Sequence, residues 1–215
     1  MATVGNVRYV AQDRRARIAT AALFLTNGAI FANLLPRYPE IKADLHLSNA
    51  VYGAAIAAFS GGALVAGLAA ATLIRRYRSS RVAVVGTIGI AVFVVVAGMA
   101  TTPMVLAAAL FIAGASDAIT DVAQNAHALR VQRNYGRSII NSFHAVWAVG
   151  AIVGGLMGAA AIALHISRTT HLTIAAVVFS PSLNCSNGLV CQLGLLLSTT
   201  PPAVGVVSTM YPLDT

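Results

Sequence analysis

No charged residue occurs from Ile18 to Pro36, from Leu45 to Ile74, from Val82 to Ser116 or from Ser138 to Ile166. About 20 apolar residues are enough for one helix to cross a hydrocarbon core, so these runs read as membrane spans. A soluble chain of 215 residues would still expose much of its surface and has nowhere to hide them. Composition agrees, with 58% hydrophobic and 9% charged residues and a mean hydropathy of +0.78. Such apolar content excludes disorder, and two cysteines exclude a disulfide scaffold. The expected fold is an all-α integral membrane protein with about six transmembrane helices, since six spans need ~120 residues and twelve need ~240 before any loop.

The run from Val82 to Ser116 is too long for one span and contains Thr101-Thr102-Pro103. Proline suits the first turn of a helix, where its missing N–H is no loss. This divides the run into a third span near 82–100 and a fourth near 104–128. The fifth lies within 138–166, and a sixth starts at His171. The basic residues then alternate by loop. Arg8, Arg14, Arg15, Arg17, Arg75, Arg76, Arg78, Arg81, Arg130, Arg133 and Arg137 fall on one side, and Arg37, Lys42 and Arg168 on the other. Eleven against three is the positive-inside bias of a chain whose N-terminus is cytoplasmic. The net charge of +8 is therefore read as topology and not as a nucleic-acid surface. Residues 1–17 form a basic cytoplasmic arm, 18–179 the membrane domain, and 180–215 a tail of different composition. The first apolar run is too long for a signal-peptide core and reads as a retained span.

Small residues recur every fourth position at Ala54, Ala58, Gly62, Ala66 and Ala70, and at Gly150, Gly154 and Gly158. Such stripes let helices approach closely where lipid removes the hydrophobic drive to associate. The informative residues are the polar ones inside the spans, because an ionisable group at mid-membrane costs ~2.5–3.5 kcal/mol or more. Asp117 and Asp121 share a face of the fourth span with Gln124 and Asn125. Asn141 and His144 share a face of the fifth, one turn from Trp147. Asn27 and Asn33 interrupt the first. These faces are expected to converge on one polar cavity. Two carboxylates a turn apart in low dielectric resist carrying two charges, so a proton held there can be exchanged with a transported solute. The structural alternative pairs Asp121 with His144 or Arg130 and uses the asparagines only to bridge helices.

These residues resemble the N-terminal half of a major facilitator superfamily transporter, in the fucose-permease-like branch of bacterial inner-membrane carriers. Asn27-Gly28 and Pro36-Arg37 carry the likeness in the first span. The segment from Gly67 to Arg81 carries it in the second loop. Gly114-Ala115-Ser116-Asp117, Asp121, Asn125, Gly136-Arg137-Ser138, Asn141-Ser142-Phe143-His144-Ala145 and Trp147 carry it in the fourth and fifth spans. The likeness covers roughly residues 14–178. It implies alternating access, with solute and coupling ion bound at mid-membrane between two six-helix halves. It also implies a proton-linked role for Asp117 and Asp121. The superfamily's acidic residue near the end of the second span is missing, with Ala71 and Thr72 in that region.

After about Phe179 the likeness stops. Alanine becomes rare, Ser, Thr and Pro rise, and Pro201-Pro202 breaks any helix there. This shift is read as a truncated or frame-shifted gene, with an unusual anchor as the alternative. Cys185 and Cys191 show no metal or redox spacing. The expected function is proton-coupled secondary transport of a small solute by alternating access in the bacterial inner membrane, with an inactive truncated half as the other outcome of such a shift. The expected partners are the lipid bilayer, the solute and protons, with a homodimer or a separate second half completing the bundle. No cofactor, metal or nucleic acid is expected. A non-catalytic membrane scaffold is the alternative function. An intramembrane aspartyl protease fits poorly, because both aspartates lie on one helix.

Overall fold

A computed structural model describes the backbone of residues 4–179 and the side chains of residues 16–179 apart from residue 134. Seven α-helices follow one another: α1 (Val4–Ala32), α2 (Tyr38–Asp44), α3 (Asn49–Tyr77), α4 (Ser79–Gly98), α5 (Pro103–Tyr135), α6 (Ile140–Ala163) and α7 (Arg168–Phe179). A 3₁₀ turn, Leu35–Arg37, joins α1 to α2. Five spans are long and apolar enough to cross a membrane. The expected sixth span, from His171, falls on α7 and on residues beyond Phe179, which lie outside the described residues together with the 180–215 tail and both cysteines. α1 runs back to Val4, through the stretch assigned to the basic arm.

Local chemistry sets the helix ends. Pro36 and Pro39 stand where the chain turns from α1 into α2, because each lacks the N–H that would continue a helix. Ser48 caps α3 by accepting from the Val51 N–H (3.3 Å). Thr102 does the same for α5 from Val105 N–H (3.3 Å), with Pro103 in the first turn, so the division at Pro103 stands. Gly136 closes α5 in the left-handed conformation (φ 68°), which glycine adopts without a Cβ penalty. The Gln132 side chain reaches forward from α5, and its oxygen accepts the N–H groups of Ile139 (2.8 Å) and Ile140 (3.0 Å).

Two layers of contact dominate. α1 packs along α6, and α5 packs between α3 and α4. Glycines permit both. A Cβ added at Gly150 or Gly154 would run into the backbone oxygen of Leu25 or Ala29 on α1. Gly62 and Gly114 face the backbones of Phe111 and Phe59 across the α3–α5 contact. The main core lies towards the α2 end, where Ile30, Leu34, Ile41, Ile90, Leu110 and Leu172 are fully buried. A second cluster of Phe24, Ala128, Val131, Ile139 and Phe143 closes the opposite end. α1 is the most buried span, and α3 and α6 are the least. Leu64, Leu68, Ile152 and Leu156 stand outward from those two helices. Contiguous apolar exposure of this kind marks a surface made for lipid or a partner.

Candidate functional site

Asp117 and Asp121 straddle the midpoint of α5, whose 33 residues extend about 50 Å at 1.5 Å per residue. Asn27 is buried on α1 (4% exposed), and its side chain engages the Asp117 carboxyl across the α1–α5 contact. One turn further along α5, Asp121 is exposed and accepts from Asn125 Nδ2 (3.0 Å). Asp121 pairs with neither His144 nor Arg130. Gln124 is buried and donates from Nε2 to the carbonyl of Leu23 (3.1 Å).

The fifth-span candidates lie on α6, which packs along α1. His144 Nδ1 lies 3.1 Å from the Ile140 carbonyl on its own helix, and its ring meets Phe24 edge-on at 5.5 Å between centroids. Its outer face is exposed, as are Asn141 and Trp147. α1 therefore links the two groups, with Asn27 against Asp117 and Phe24 against His144. Asn27 is the buried end of these polar residues, and Asp121, Asn141 and His144 stand exposed. A cavity of about 520 Å³ lies elsewhere, between α3, α4 and α5.

Sequence reasoning missed His127, which is 3% exposed with neither ring nitrogen hydrogen-bonded. Asn27 Oδ1 and Gln124 Oε1 are likewise buried without a partner. The signal was present as the i, i+3 spacing of Gln124 and His127, but a histidine three residues before Arg130 reads equally well as a loop flank.

Asn33 proves to be a bridge. Its Oδ1 accepts from His171 Nε2 (2.8 Å), and its Nδ2 donates to the Ala29 carbonyl (2.8 Å). The other face of that imidazole accepts from Arg37 Nε (3.3 Å). Arg37 also donates to Glu40 (2.8 Å) and to the Ile166 carbonyl (2.7 Å). Arg168 spans Glu40 (3.5 Å), Asp44 (2.8 Å) and the Gly98 carbonyl (2.5 Å). This network clamps α1, α2, α4 and α7 together at one end of the bundle.

The chain belongs to the Major Facilitator Superfamily, whose family model matches residues 20–210. The match runs past residue 179, where the sequence reading expects the likeness to stop. The uncharacterized transporter y4wD of Sinorhizobium fredii is 32% identical over 157 residues, 73% of this chain and 42% of that protein. An uncharacterized MFS-type transporter of Yersinia pestis is 28% identical over 138 residues, 64% of this chain and 36% of that protein. The chain thus spans about two fifths of the length of these curated relatives. No solved structure matches.

Proposed function

We propose that the chain forms one six-helix wall of a multi-pass secondary transporter that moves a small solute in exchange for, or together with, protons. The observation that carries this is the placement of Asp117 and Asp121 at the middle of α5. One is engaged by Asn27, and the other opens outward beside Asn125. An exposed carboxylate at that depth is tolerated only if it faces a polar cavity and not hydrocarbon. The least buried helices, α3 and α6, offer the surface against which a second six-helix half stands, supplied by a second copy or by a separate half. Asp117 and Asp121 exchange the proton, while Asn125, Asn141, His144 and Asn27 hold the solute or orient the carboxylates. The role is transport and not catalysis. The positive-inside bias supports a cytoplasmic N-terminus, and the bacterial sources of the two relatives support a bacterial inner membrane.

The test uses the chain reconstituted in vesicles loaded with a pH-sensitive dye and challenged with a panel of sugars, amino acids and organic acids. At least one solute is expected to drive proton entry. Asp117→Asn and Asp121→Asn should each reduce that signal by ten-fold or more while solute binding persists. Full proton coupling in both variants overturns the reading.

A further inference from the structure

His171 joins α7 to two other elements through both of its ring nitrogens. Asn33 on α1 is oriented by its own bond, in which Nδ2 donates to the Ala29 carbonyl (2.8 Å). Its Oδ1 is therefore the atom that faces His171 Nε2 (2.8 Å). An amide oxygen only accepts, so Nε2 carries the proton. On the far side of the ring, Arg37 Nε lies 3.3 Å from Nδ1. A guanidinium has no acceptor and keeps its charge, so Nδ1 presents a lone pair. The two partners thus fix one neutral tautomer, and a second proton would set N–H against N–H at the Arg37 contact. Solvent is too distant to take up the lost bond, because His171 is 2% and Arg37 3% exposed.

Charge makes the same demand. The guanidiniums of Arg37 and Arg168 meet the carboxylates of Glu40 and Asp44, so the set is balanced and an imidazolium would leave positive charge in excess beside Arg37. α7 packs on α4, α1 and α6. Among the described side chains, the ionisable residues of those helices are Arg81, Arg17 and His144, each near the start of its helix and away from the clamp. His46 and His165 are exposed, in the turns after α2 and α6. We propose that His171 is an acid-sensitive latch. While neutral it fastens the start of α7 to α1 and to the 3₁₀ turn, and on gaining a proton it lets that end of α7 separate from them. Imidazole is the side chain that takes up a proton between about pH 8 and 5. The latched form excludes the second proton, so its contribution is full at basic pH and is lost as pH falls. The latch needs neither the aspartates of α5 nor a solute.

The experiment is hydrogen exchange of the full chain in detergent micelles between about pH 8 and 5, corrected for the intrinsic pH dependence of exchange, beside nitrogen NMR shifts of the histidine rings. At the basic limit His171 is expected as the neutral Nε2–H tautomer. On acidification the α7 amides should lose protection about ten-fold, the order of one hydrogen bond to a charged group. The loss should follow the titration of the His171 ring, and the amides of α3 should not share it. His171→Gln keeps a donor and an acceptor but gains no proton, so its α7 amides should stay protected throughout. His46→Gln and His165→Gln should keep the transition. A charged His171 ring at the basic limit, undiminished α7 protection at the acidic limit, or a transition that survives in His171→Gln overturns the proposal. So does a transition that vanishes in His46→Gln or His165→Gln. Should His171→Gln fail to fold, the unaltered chain decides, because a loss of protection that does not track the His171 ring shifts also overturns it.

Discussion

Arg37 shows how far a single residue can depart from its apparent role. By sequence it is one of three basic residues on the less basic side, a topology signal. In the fold it is 3% exposed and bonded to Glu40, to the Ile166 carbonyl and to His171. A buried charge is tolerable only with such partners, and removing one member of the set strands the others. Arg37→Ala should therefore destabilise the chain by about 3 kcal/mol, read as a lower midpoint in denaturant titration of the micelle-bound protein. Arg37→Lys should recover only part of the loss, because an ammonium cannot reproduce the fork that reaches three acceptors. An unchanged midpoint in Arg37→Ala would mean that the network contributes nothing to the fold. His171 lies 134 residues away in the chain, which is why no local pattern announced it.

Among the elements, the α1–α6 pair is decided by glycine. The Gly150, Gly154 and Gly158 stripe was legible as a packing face, and all three residues are buried. Which helix it meets was not legible, because the four-residue spacing is the same whatever the partner. Gly154→Val should break this contact, since even a Cβ there would sit 2.3 Å from the Ala29 oxygen. Gly155 has open space around it, so Gly155→Ala should leave folding intact. Thermal unfolding of the two variants in micelles distinguishes them, with a loss of roughly 3 kcal/mol expected for the first. Comparable midpoints would contradict the close approach. The α3 stripe was only partly right: Gly62 and Ala70 are buried with Ala55, whereas Ala54 is exposed. A helix turns 3.6 residues per turn, so a strict four-residue repeat drifts off one face.

At the scale of the molecule, the ends of the bundle differ in kind. One carries the Arg37–Glu40–Arg168–Asp44 clamp. The other carries the α3–α4 arginines and Arg17, which donates to the Tyr135 hydroxyl (2.8 Å). If the positive-inside rule sets the orientation, a membrane-impermeant maleimide applied to intact cells should label Lys42→Cys and leave Arg76→Cys unlabelled until the membrane is opened. Cys185 and Cys191 are first replaced by serine. The reverse pattern would invert the topology.

The five spans found among the described residues and the acidic midpoint of α5 were legible in the amino-acid order alone. Apolar length, charge and the position of a proline are local properties, and the bilayer acts on them one helix at a time. Only the tertiary structure decided that Asn27 meets Asp117, that His144 looks outward past Phe24, and that Asn33 serves a clamp and not the cavity. Those outcomes depend on how each helix is rotated and shifted against its neighbour. That setting comes from backbone approaches at a few glycines, between residues from about 50 to 125 positions apart.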